Sequence, residues 1–224
     1  KSAVTSFTYD TQFNQVLTLT DPYLKVTTYT YDSNGNLLTV TDPLNNTTTH
    51  TYDSYGNVLT TEDSLGNVTS FMYDTYGNLT RITDALNNET EFTYDLVGNV
   101  LTITDALDNT TTLLYDDLNR NTSVTYPDST SISFAYDNAG NKISATDAKL
   151  QTTLFVYDAF GRMLSVSNPL SETVGYTYDT EGNQLTQTDA TLHTTTYTYD
   201  NLLRLATETT HLNKTKTYTY DAVG

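Results

Sequence analysis

The chain has 224 residues, 37% of them hydrophobic, with 19 Tyr, 7 Phe and no Cys, and its 27 acidic against 10 basic side chains give a formal net charge of -17. The absence of Cys excludes disulfides, thiolate metal centres and a Cys nucleophile. The shortage of Lys and Arg excludes phosphate-backbone contacts, so no nucleic acid is expected as a partner. No apolar run nears the ~20 residues of a membrane helix, and residues 1–10 hold no apolar secretion core, so no membrane insertion is expected. A content of aromatics this high is foreign to disordered acidic chains, and Thr in excess of Ala favours strands.

Read from the N-terminus, the chain returns again and again to a Tyr-Asp pair. The tyrosines are Tyr9, Tyr31, Tyr52, Tyr73, Tyr94, Tyr115, Tyr136, Tyr157, Tyr178, Tyr199 and Tyr220; the first gap is 22 residues and the other nine are 21. Periods of this length are the mark of stacked repeats. With Tyr as repeat position 1, the run Thr27-Thr-Tyr-Thr-Tyr31 alternates Thr and aromatic residues, which predicts a strand with position 20 and Tyr on one face. A turn follows at Asp32 and Gly35. Asp accepts a hydrogen bond from the backbone two residues on, and Gly supplies the positive φ that ends the turn. The same pair recurs as Asp53 with Gly56, Asp74 with Gly77, Asp95 with Gly98, Asp137 with Gly140, Asp158 with Gly161 and Asp179 with Gly182, and Gly224 stands at the same position. Leu37-Leu-Thr-Val-Thr41 predicts the return strand. The segment from Asp42 to Asn46 makes the second turn, where Pro43 suits the fixed φ near -65°.

Each repeat is therefore a β-hairpin that feeds the next, and residues 1–224 form a single array of about ten repeats that opens and stops part-way through a period. Helix is excluded by the Thr, Asn, Asp and Gly content. An isolated hairpin is marginal, and stability is expected from stacking the aromatic face on its neighbours. The tyrosines then form a structural ladder worth roughly 1.5–3 kcal/mol per buried ring. On that reading Tyr115→Ala costs roughly 3–5 kcal/mol. Whether position 7 or 8 of the return strand shares the Tyr face depends on hairpin register and stays open.

The Tyr-Asp pair, the x-x-Gly-Asn/Arg that follows it and the 21-residue period resemble the YD-repeat or Rhs-repeat family; Tyr157-Asp-Ala-Phe-Gly-Arg-Met-Leu164 and Tyr94-Asp-Leu-Val-Gly-Asn-Val-Leu101 carry the likeness most fully. The resemblance implies an all-β fold, a ribbon of hairpins wound into a spiral shell or an open tube segment. In Rhs proteins and the C component of Tc toxins such shells enclose a C-terminal toxin domain. Teneurins carry a similar barrel, other members are wall-associated, and the family has been linked to carbohydrate. It implies a structural role in a secreted or cell-surface bacterial protein, with further YD repeats, an enclosed toxin domain or carbohydrate as partners. The alternative is a filament-forming or adhesin repeat protein. Closed shells use many more repeats and end in a self-cleaving aspartyl segment that nothing here matches.

No enzyme is expected. His50, His193 and His211 fall at different repeat positions and share no site by pattern, and no nucleophile, phosphate-loop or zinc motif occurs. No cofactor is expected; rows of Asp could serve Ca²⁺, but the dense spacing of calcium loops is absent. Tyr55, Tyr76 and Phe160 sit at turn position 4, where a packed ladder does not explain them. They are the candidates for an exposed contact.

Overall fold

The computed structural model describes residues 4–221, so the Gly224 turn position lies outside the described residues. There is no helix among them; the chain is 21 strands running from β1 (Ser6–Tyr9) to β21 (Thr215–Thr217), with neighbours pairing antiparallel, as the Thr-rich alternation dictates. Contacts divide the chain into two units, residues 1–112 and 113–224.

The first unit begins with β1, β2 (Val16–Thr20), β3 (Val26–Tyr31), β4 (Leu37–Thr41) and β5 (Thr47–Tyr52), each paired to the next in chain order. The second unit repeats the plan and closes with β17 (Thr173–Tyr178), β18 (Gln184–Thr188), β19 (Thr194–Tyr199), β20 (Leu205–Thr209) and β21. Return strands occupy repeat positions 7–11, and the Tyr-bearing strands start one residue before the Thr/aromatic run, at position 17.

Register settles the question of positions 7 and 8. Thr30 faces Thr39, but Tyr31 faces Leu37, so Leu38 is the extra residue of a bulge. The same shift sets Tyr52 against Val58, Tyr157 against Met163 and Tyr199 against Leu205. Position 7 is thus the cross-strand neighbour of Tyr. The bulge ends the ladder beside the turn and adds local twist.

The two faces differ in chemistry. One carries Thr hydroxyls in pairs, as Thr30 with Thr39 at 2.6 Å and Thr41 with Thr47 at 2.8 Å. The other pairs rings with aliphatic side chains, as Phe71 with Ile82, Phe92 with Ile103 and Phe155 with Val166. Among the described residues none is buried, because no second layer covers either face. The rings of the expected ladder, with aliphatic side chains between them, are therefore at most half-buried. Equivalent tyrosines are two strands apart, ~9.6 Å at the usual strand spacing, too far for ring-on-ring contact. Among the described residues the ring pairs are Phe7 with Tyr9, at 6.3 Å, and the two histidines His193 and His211.

Candidate functional site: the turn edge and its tyrosine struts

The turn after each Tyr is held by one carboxylate. In the Asp32 turn, Asp32 Oδ1 accepts the Asn34 and Asn36 amides at 2.8 and 2.9 Å, and Oδ2 accepts the Asn36 side-chain amide at 2.9 Å. Gly35 N–H donates to the Asp32 carbonyl at 3.1 Å, with Gly35 at φ +89°. Gly56, Gly77, Gly98, Gly140 and Gly182 hold the same place at φ +90°, +87°, +92°, +93° and +97°. Their N–H groups donate to the carbonyls of Asp53, Asp74, Asp95, Asp137 and Asp179 at 3.2, 3.1, 3.2, 3.1 and 3.3 Å. Gly35 is half-buried beside Phe13 and Gln15, whereas Gly56, Gly77, Gly98, Gly140, Gly161 and Gly182 are exposed at the rim. These exposed glycines serve the turn through the backbone alone and add nothing to a packed face. The turns at Asp53, Asp74, Asp95, Asp137 and Asp179 repeat the Asn clip. At Asp158 the clip is an ion pair, Arg162 Nε to Oδ2 at 2.6 Å. Hydrogen bonds hold these carboxyls below the usual carboxylate range. The Asn side-chain amide is the leading cause at Asp32, Asp53, Asp74, Asp95, Asp137 and Asp179. Among the described residues no three His, Cys, Asp or Glu are placed to hold a metal.

In eight repeats the Tyr that opens the repeat reaches backwards. Tyr31 donates its hydroxyl to the Val16 carbonyl at 2.9 Å, and Tyr52, Tyr73 and Tyr94 donate to the carbonyls of Leu37, Val58 and Leu79. Tyr136, Tyr178, Tyr199 and Tyr220 do the same with Asn121, Met163, Gln184 and Leu205. The acceptor is always fifteen residues back, at position 7 of the preceding return strand. There the ladder between successive hairpins has run out, since β2 and β3 pair only through Thr18, Leu19 and Thr20. The phenol supplies the missing donor. Each of these Tyr is therefore a strut from one hairpin to the one before it. Tyr115 and Tyr157 are half-buried like most of the others, while Tyr9 and Tyr220 are 50% and 39% exposed. Partial burial pushes the phenols of Tyr31, Tyr52, Tyr73, Tyr94 and Tyr178 up.

Position 6 links turns in the forward direction. Arg120 lies over the Tyr136 ring at 4.7 Å and donates to the Asp137 carbonyl; Arg162 does both to Tyr178 and Asp179. Gln15, in the 22-residue first repeat, donates to the Gly35 carbonyl at 2.7 Å.

Tyr55 and Tyr76 are 91% and 82% exposed and share an open cleft of about 660 Å³ with Tyr73 and Leu59. Phe160, 85% exposed, belongs to the second unit and lies beside the Arg162 guanidinium at 5.4 Å. The structure therefore brings two of the three candidates together.

Two features escaped the sequence reading. The second turn is built like the first: Asp42 takes the Leu44 and Asn46 amides and the Asn46 side chain, and Asn45 sits at φ 64°. The recurrence of Asp at position 12 with Asn at position 16 was the available signal. His193 and His211, which share no repeat position, stack at 3.8 Å. Only the hairpin register could have paired them.

An antiparallel meander of near-identical hairpins, clipped at its turns and strutted by its tyrosines, defines a tandem-repeat structural protein in which each unit contacts its neighbours. The chain belongs to the Teneurin YD-shell family, whose model matches residues 62–224, and residues 25–47 and 31–68 match the RHS Repeat. No curated protein sequence matches it. Among solved structures it is similar to the crystal structure of TcdB2-TccC3-Cdc42, at 17% identity and a TM-score of 0.59. It is similar too to the Tc holotoxin pore of Photorhabdus luminescens carrying a TccC3 substitution, at 18% and 0.59, and to TcdB2-TccC3, at 17% and 0.58. Each alignment covers 100% of this chain, which spans 15% of the length of each of those chains. At these identities the likeness is one of fold.

Proposed function

We propose that the chain is a wall segment: a structural stretch of a longer, secreted or cell-surface bacterial YD-repeat protein, whose repeats together enclose another element such as a toxin domain. The Tyr strut carries this reading. It ties hairpin to predecessor by the same bond, so the array extends by adding hairpins and needs no core of its own. The absence of any buried side chain among the described residues supports it, because a wall of single-sheet thickness gains strength from continuation rather than from depth. Family membership supports the shell form of that continuation. Electron cryomicroscopy of the full gene product tests the proposal. A closed or partly closed particle with an internal cavity is the expected result; an indefinite filament would overturn it in favour of a polymer or adhesin.

A further inference from the structure

The rim of first turns carries two rings that the turn itself does not ask for. Position 4 is Asn34, Val97, Ala139 or Glu181 in other repeats, so the turn accepts almost any side chain there, yet two consecutive repeats both place a Tyr. Tyr55 and Tyr76 spend only their backbone amides on the turn, donating to Asp53 and Asp74 at 2.8 Å each. Among the described residues their hydroxyls have no partner, and the side chains stand in solvent. Large, rigid, amphipathic rings of this kind are what recognition surfaces favour, because they supply contact area at low cost in conformational entropy. Both rings line the open cleft of about 660 Å³ that Tyr73, Leu59, Asp53 and Asp74 also line. The Tyr73 hydroxyl is already spent on its strut to Val58, so Tyr73 offers the cleft a ring and no donor.

Three properties of the cleft select one kind of occupant. The first is spacing. Equivalent positions of successive repeats lie two strands apart, ~9.6 Å. A polyproline II helix has three residues per turn at ~3.1 Å rise, so its side chains return to one face every ~9.3 Å. Prolines at i and i+3 therefore fall in step with Tyr55 and Tyr76. The second is hydrogen bonding. Polyproline II makes no internal hydrogen bonds, so its carbonyls are free to accept from the two phenols. Its backbone is also set in advance, which is why aromatic-lined grooves capture it at low entropic cost. The third is charge. No cation lines the cleft, its two carboxylates are Asp53 and Asp74, and the chain carries a net charge of -17, which favours a ligand with basic flanks over an acidic one. The four prolines of this chain, Pro22, Pro43, Pro127 and Pro169, stand far apart, so no segment of a second copy has the i, i+3 spacing. We infer that the Tyr55–Tyr76 cleft is a docking site for a Pro-rich segment, basic at its flanks, of another polypeptide. The site does not rest on the wall reading: it lies within the first unit, and an open fibre would present it equally.

Fluorescence anisotropy of a labelled synthetic peptide of Pro-Pro-Ala triplets with Arg at each end, titrated with the 224-residue chain, tests the inference. Saturable binding is expected, weakened at least about tenfold by Tyr55→Ala, by Tyr76→Ala and by replacing the peptide's Arg ends with Glu. Both substitutions remove side chains that stand in solvent, and circular dichroism verifies that the sheet survives them. Phe160→Ala, at the same turn position in the second unit, should leave the affinity unchanged. No saturation up to about 1 mM chain would overturn the inference. So would equal binding of a peptide with Gly in place of every Pro, or equal weakening by Phe160→Ala. Sedimentation that shows a dimer dispersed by Tyr76→Ala would assign the cleft to a second copy of the chain and overturn it as well.

Discussion

At the scale of the residue, one hydroxyl separates two aromatic positions. Position 20 exchanges Phe and Tyr freely, as at Phe71 and Tyr197, whereas every repeat opens on Tyr. The strut explains the difference: position 20 asks only for a bulky side chain, Leu113 serving there as well as Phe and Tyr, whereas position 1 calls for a ring with a donor. Tyr73→Phe should lower stability by about 0.5–1.5 kcal/mol, the net worth of one such bond, whereas Phe71→Tyr should be nearly silent; paired thermal melts decide it. Because no ring among the described residues is fully buried, Tyr115→Ala should cost about 2 kcal/mol, below the figure for a packed core. Backbone strain gives a prediction of opposite sign. Leu192 holds φ 66° with its side chain 83% exposed, so its side chain gains little in return. Leu192→Gly should stabilise by about 1 kcal/mol. Gly161→Ala should destabilise, since Gly161 sits at φ +78° and an added Cβ would come within 3.3 Å of Asn141 Oδ1.

At the scale of the element, the clipped turn decides the response to pH. The clip carboxyls are depressed in the folded chain, so the unfolded chain binds more protons at low pH and stability rises with pH through that range. The contribution is complete above the ordinary Asp value of about 4 and is lost as pH falls through the lower folded values. Many clips of one kind should therefore fail over one narrow acid range. Melting temperatures measured from about pH 6 to about pH 2.5 should fall steeply below about pH 4, and Asp74→Asn combined with Asp95→Asn should flatten the fall. The phenols of Tyr31, Tyr52, Tyr73, Tyr94 and Tyr178 act at the other end. Their raised values mean that stability is complete below about 10 and is lost as pH rises through them. The strands and the first turn were legible in the sequence because alternation and Asp-x-x-Gly report backbone geometry directly. The second turn was half-legible, since Asn45 and Leu192 take the left-handed conformation without the glycine that announces it. The His193–His211 stack and the choice of position 7 over 8 were illegible, because both depend on register across a bulge.

At the scale of the whole molecule, the array in each unit is a succession of equivalent neighbours. Deletion of one complete period, residues 73–93, keeps every strut and clip in phase and should leave the far-ultraviolet spectrum and cooperative melting intact. Deletion of residues 73–82 removes half a hairpin, sets like-handed strands against one another and should abolish cooperative melting. The 22-residue first repeat shows how the chain deals with a length error. Its additional residue sits in the turn, where Asp10 N–H reaches the Gln15 carbonyl at 2.9 Å instead of closing one residue sooner, and Gln15 still meets Gly35. Such a gene is open to unequal recombination between its near-identical segments: whole periods can be gained or lost in a single event, and a stray codon is swallowed at the rim before it can shift a strand.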